Sequence, residues 1–88
     1  MKPIRKRSDA FTEADVGDEI ILMRLDNGEL LSLTETGAAV WRMIDGSRDR
    51  AALIAALRKQ YVGSAEDIGR DVDQLMDLLN EAGLIAEG

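Results

Sequence analysis

The sequence predicts an α+β domain of winged-helix-like type, a three-stranded antiparallel β-meander followed by three α-helices. Three observations predict it. Short apolar runs separated by Gly- and Asn-containing turns occupy the first third of the chain. From residue 34 the apolar spacing takes a helical period. No linker, repeat or low-complexity segment interrupts the 88 residues. This length holds one core, so residues 1–88 are expected as a single domain, with residues 1–8 a flexible tail.

Ala10 to Val16 reads as a short strand, ended at Val16-Gly17-Asp18-Glu19, where Gly and Asp accept the backbone angles of a tight reversal. Glu19 to Leu25 (EIILMRL) is too short between turn signals for a helix and is rich in apolar residues, hence a strand. Asp26-Asn27-Gly28 is the strongest turn, because Asn-Gly supplies the positive φ values of a hairpin loop. Glu29 to Leu33 (ELLSL) is the returning strand, and in a meander of this order it lies at an edge.

Thr34 is the expected N-cap of the first helix, with Gly37, Val40, Trp41 and Ile44 on one face and Asp45-Gly46 as its stop. Asp49 or Ser47 caps the second, whose apolar stripe is Leu53, Ile54, Leu57 and Tyr61, and Val62-Gly63 breaks it. Ser64 with Asp67 three residues on reads as a capping box. The third helix then carries Ile68, Val72, Leu75, Leu79 and Ala82, and Gly83 stands where a left-handed cap belongs, so that Leu84-Ile85 folds back onto the last turn.

Composition excludes several functions. Apolar residues make up 45% and charged residues 32%, the balance of a folded chain. No run approaches the ~20 apolar residues of a membrane span. The basic start, Met1-Lys2-Pro3-Ile4-Arg5-Lys6-Arg7, is not followed by an apolar h-region, so a cytoplasmic address is expected. With neither Cys nor His, the chain lacks disulfides, Cys/His zinc sites, thiolate nucleophiles and imidazole bases. Phe11, Trp41 and Tyr61 are the only aromatics, too few for a deep cavity, so no enzymatic activity, cofactor or metal is expected.

The net charge of −6 repels polyphosphate. The third helix sets Glu66, Asp67, Asp71, Asp73, Asp77 and Glu81 against Arg70, which argues against nucleic acid as a partner. Lys2, Arg5, Lys6 and Arg7 read as a solvated tail.

Two features point to a binding role. Leu30, Leu31 and Leu33 place apolar side chains on both faces of an edge strand, where a half-solvated strand would alternate. Such an edge can take up an extended peptide through main-chain hydrogen bonds. On the third helix Met76 and Leu78 lie about 80° to either side of Ile68, widening the apolar arc enough to line a groove as well as face the core. Two rivals stay open: a winged-helix DNA-binding regulator, and a dimerisation module in which the edge or the outer face of EIILMRL pairs with another copy.

An ordered set of residues then resembles the PqqD-like family. Leu33-Thr34-Glu35-Thr36-Gly37-Ala38-Ala39-Val40-Trp41 is similar to its segment of leucine, short polar stretch, Thr-Gly and aliphatic-Trp. Ile44-Asp45-Gly46, Leu53-Ile54, Tyr61, Asp71-Val72, Leu75-Met76, Leu79 and Gly83-Leu84-Ile85 follow in the family's order. Ser32-Leu33-Thr34 departs from it, since many members have an aromatic and then Leu-Asn there.

The resemblance implies a recognition element for ribosomally made precursor peptides, in PQQ biosynthesis or in lasso-peptide and other pathways. Such a domain binds the leader segment as an added strand between its third strand and third helix. It presents the segment to a modifying enzyme such as a radical-SAM protein or a leader peptidase. Carried onto this chain, the groove consists of Glu29, Leu30, Leu31, Ser32 and Leu33 on the strand, with Asp73, Met76 and Asp77 on the helix.

Overall fold

The computed structural model of the chain describes residues 2–61 and 65–87. The elements are β1 (Ile4–Lys6), β2 (Phe11–Asp15), β3 (Glu19–Arg24), β4 (Leu30–Thr34), α1 (Thr36–Met43), α2 (Arg50–Gln60), α3 (Ala65–Glu81) and β5 (Ile85–Glu87). Strands β2, β3 and β4 form the expected antiparallel meander in that spatial order, and three helices follow.

The two hairpins solve their reversals differently. Between β2 and β3, Gly17 takes φ +91° while Asp18 stays out of the left-handed region, the arrangement of a type II′ turn, and the Val16 N–H donates to the Glu19 carbonyl at 2.9 Å. Between β3 and β4 only Gly28 has positive φ, at +73°. Asn27 contributes through its side chain, whose Oδ1 accepts the Glu29 N–H at 2.9 Å. The loop from Leu25 to Gly28 is therefore longer than a two-residue Asn-Gly turn, and the Arg24 N–H closes it on the Glu29 carbonyl at 2.8 Å.

The core sits between the inner face of this sheet and the helices. Phe11, Ile20, Leu22 and Leu33 meet Val40, Trp41, Leu53, Leu57, Val72 and Leu79, all buried. Trp41 is fully enclosed. Phe11 approaches its ring edge-on, at 5.3 Å between centroids and 72° between planes. The indole Nε1–H donates to Glu13 Oε1 at 3.1 Å, and the Lys6 ammonium lies 4.5 Å from the ring centroid. Burial lowers the Lys6 pKa from its ordinary value, with the Glu13 charge opposing it. Truncating a ring so enclosed costs about 3–5 kcal/mol.

The N-terminal residues depart from the expected flexible tail. β1 pairs antiparallel with β5, Arg5 standing opposite Ala86, and Ile4 is fully buried. The Ile4 N–H donates to the Arg48 carbonyl at 2.8 Å, the Gly46 N–H to the Ile4 carbonyl at 3.1 Å, and the Arg7 N–H to the Leu84 carbonyl at 2.8 Å. Every partner is distant in sequence, so no local pattern marks this segment as a strand.

Helix ends follow the residues closely, with one exception. Asp49 caps α2, its side chain accepting the Ala52 N–H at 2.8 Å. Gly83, at φ +75°, ends α3 in a Schellman arrangement: Leu84 N–H donates to the Leu79 carbonyl and Gly83 N–H to that of Asn80, both at 3.0 Å. The expected capping box at Ser64 and the break at Val62-Gly63 lie outside the described residues. Thr34, expected as the cap of α1, is instead the last residue of β4. Glu35 takes the cap position at φ +50°, ψ −120°, with no side-chain cap bond. An L-residue is strained there, and the sharp turn from strand to helix imposes it.

Glu35→Gly should raise the unfolding free energy by about 1 kcal/mol, the relieved strain exceeding glycine's added chain entropy, as read by chemical denaturation. The Asp45 carboxylate accepts from the Ser47 hydroxyl at 2.7 Å and the Ser47 N–H at 2.9 Å, which hold its pKa below the ordinary value of 3.8. Its contribution is therefore complete above the unfolded value and is lost as the pH falls through the folded one. In Asp45→Asn the thermal midpoint should decline less steeply between about pH 5 and pH 2 than in the parent.

Candidate functional site

The site is built on the open edge of β4. Opposite residues of an antiparallel pair alternate between exchanging backbone hydrogen bonds and turning them away. Arg24 bonds Glu29 at the hairpin, so with the observed register Leu22 bonds Leu31 and Ile20 bonds Leu33. The other hairpin agrees, because Val16 bonding Glu19 assigns the backbone groups of Ile21 and Met23 to β2. The N–H and C=O groups of Leu30, Ser32 and Thr34 therefore face outward, and among the described residues no backbone group meets them.

The pleat sorts the side chains. Leu31 and Leu33 stand opposite Leu22 and Ile20 and point inward. Leu30 and Ser32 point outward beside Met23 and Ile21, where Leu30 is 65% exposed and the Ser32 hydroxyl donates to the Glu19 carboxylate.

The two sheet edges are not equivalent. At the other edge, β2, the inward positions after Phe11 are Glu13 and Asp15, on the face that carries Leu22 and Ile20 in β3. Glu13 is held by Trp41, and Asp15 by Arg42, whose Nη2 lies 3.1 Å from Asp15 Oδ1 and lowers its pKa. Charges pointing inward protect an edge against further pairing. At β4 the inward positions are leucines, and the edge has no such protection.

Across from β4, α3 supplies the other wall of a groove. One end is a depression of about 220 Å³ lined by Arg24, Glu29, Leu31, Leu78, Glu81 and Ala82. At the other, Thr34, Glu35, Val40, Asp71 and Leu75 line one of about 290 Å³. A wider hollow of about 790 Å³, bounded by Asp18, Arg42 and Tyr61, shares Thr34, Glu35 and Thr36 with the second depression. Glu29, Glu35, Asp71 and Glu81 give the groove an acidic rim.

The strand residues expected at the site are all present at this edge, whereas the three helix residues are elsewhere. Met76 is fully buried in the core. Asp73 and Asp77 lie on the flank of α3 that faces α2, where Arg50 binds Asp73 at 3.1 Å, Asp77 at 3.0 Å and Glu87 of β5 at 2.7 Å. Glu87 first, then both aspartates, hold the Arg50 guanidinium above its ordinary pKa. Asp71, Leu75 and Leu78 line the two depressions instead, within an arc of about 60° on the helix. Leu78, 45% exposed and outside the narrow core stripe, was the legible signal. A helical wheel gives the width of an apolar arc but not which flank meets the sheet.

Among the described residues no cluster of acidic side chains is placed to hold a metal, and no helix is long and apolar enough to cross a membrane.

Residues 19–85 match the family model described as coenzyme PQQ synthesis protein D (PqqD). The chain is 43% identical over 49 residues to a PqqA binding protein of Pseudomonas fluorescens (strain Pf0-1), covering 56% of this chain and 53% of that protein. It is 34% identical over 58 residues to a PqqA binding protein of Rhodopseudomonas palustris (strain TIE-1), covering 66% and 57%. It thus spans about half the length of the curated relatives it matches.

Two solved structures share its fold. One is TbiB1 in complex with the TbiA(beta) leader peptide, with a TM-score of 0.81 at 22% identity over 92% of this chain and 93% of that one. The other is lasso peptide synthetase B1 complexed with the leader peptide, with a TM-score of 0.79 at 23% identity over 94% and 96%.

Arg50→Met should cost about 1–2 kcal/mol by denaturant midpoint, since three carboxylates lose one shared partner at a half-exposed site. The amide spectrum of Leu30–Thr34 should be unchanged, because the clasp lies on the far flank of α3.

Proposed function

The chain belongs to the PqqD family, and from that premise we propose that it is a non-catalytic peptide chaperone, binding the leader segment of a ribosomal precursor peptide as a strand added to β4 and presenting it to a modifying enzyme. The open β4 edge carries this reading: outward backbone groups at Leu30, Ser32 and Thr34 beside inward Leu31 and Leu33, facing Leu75 and Leu78 across a groove. Backbone pairing supplies affinity for any extended segment, and the side chains of the groove supply selectivity. The names of the relatives and the peptide complexes of the structural neighbours support the same reading. The absence of Cys and His supports a role without chemistry of its own.

A winged-helix regulator of DNA is disfavoured by the acids that crowd α3. Self-association through the outer sheet face is a second reading, favoured by exposed Met23 and Leu30 lying opposite one another. Light scattering across concentrations tests it.

Parity decides the sharpest mutational test. The Leu31 N–H belongs to the β3–β4 ladder, so proline there would damage the sheet itself. The Ser32 N–H faces outward, so Ser32→Pro removes one edge donor and leaves the inner ladder whole. Affinity for the leader peptide of the neighbouring precursor gene should drop roughly tenfold, about 1.4 kcal/mol, with circular dichroism unchanged. Undiminished binding in the folded variant would argue against strand addition at β4.

A further inference from the structure

Resting on the reading of β4 and α3 as a peptide-capture groove, we propose that the captured segment is read at two apolar side chains four residues apart, one seated at each end of the groove. A strand added to β4 pleats in phase with it, so its inward side chains lie beside Glu29, Leu31, Leu33 and the position beyond. Inward positions on one strand are separated by even numbers of residues, which leaves two, four or six.

Two independent measures choose among them. On the strand side, the first depression centres near residues 29–31 and the second meets the end of β4 at Thr34 and Glu35. That separation is about 15 Å at roughly 3.3 Å per residue. On the helix side, the walls run from Leu78–Ala82 to Asp71–Leu75, about seven residues or roughly 11 Å at 1.5 Å per residue. Two strand residues span about 7 Å, four about 13 Å and six about 20 Å, so four alone fits both walls.

The volumes agree. At about 220 and 290 Å³ the depressions lie at the lower end of the roughly 300–1,000 Å³ range of small-molecule sites, and each has room for one apolar side chain. Between them the inward position passes over Leu33, itself 6% exposed and outside the lining of both depressions. The residue midway between the two anchors is therefore free to be small.

Synthetic Ser/Thr peptides with two leucines at spacing four, three or two, and with Lys at both ends to suit the acidic rim, test this by titration against the ¹⁵N-labelled protein. Spacing three puts the leucines on opposite faces, and spacing two falls short of the far depression. The spacing-four peptide should bind about tenfold more tightly than either, and Leu78→Asp should abolish that preference. Leu78 is half exposed, so the fold should tolerate the change. Equal affinities at all spacings, with shifts at Leu30, Ser32 and Thr34, would overturn the spacing rule and leave strand addition standing. No shift at these amides with any peptide or with the genomic leader would overturn both.

Discussion

Arg24 and Glu29 join their backbones at the β3–β4 hairpin, and from that bond the alternation of an antiparallel ladder dictates which groups of β4 are spent inside the sheet and which face outward. Had the loop from Leu25 to Gly28 been one residue shorter or longer, Leu31 and Leu33 would point to solvent and Leu30 and Ser32 to the core. The positive φ of Gly28 and the Asn27 side chain accepting the Glu29 N–H hold the loop at its length. A one-residue slip reverses every side chain, so this closure is a strong constraint on the groove.

Around that constraint the molecule keeps its stabilising clusters apart from the open β4 edge. Trp41, with Phe11, Glu13 and Lys6 on it, anchors α1 to β2 and to the N-terminal strand, away from the β4 edge. Arg50 ties α2, α3 and β5 together on the flank of α3 that faces away from β4. Glu13 and Asp15 mark the β2 edge with inward charges, leaving β4 as the edge that can accept another strand. The protein thus has one edge protected by inward charges and one edge without them on a single three-stranded sheet.

The same residue types serve opposite purposes on α3. Asp73 and Asp77 neutralise a cation shared by three elements, while Asp71 and Glu81, on the groove side, remain at the rim. Met76 is fully buried in the core, and Leu75 and Leu78 form the apolar wall. Composition cannot distinguish these assignments, because the residues differ only in their direction around the helix axis.

Local chemistry alone determined the meander, the helix order, a cap for α2 at Asp49 or Ser47, the Gly83 terminus and the edge position of Glu29–Leu33. Each depends on contacts within a few residues, where turn propensity and apolar period decide the outcome. The pairing of β1 with β5, the strained Glu35 at the strand–helix junction, and the division of α3 into a groove face and an Arg50 face required the tertiary structure. These depend on partners that the chain brings together from its two ends, or on the angle at which a helix crosses a sheet. A sequence pattern records which residues are apolar and at what period, but the direction each face meets is set only when the elements pack.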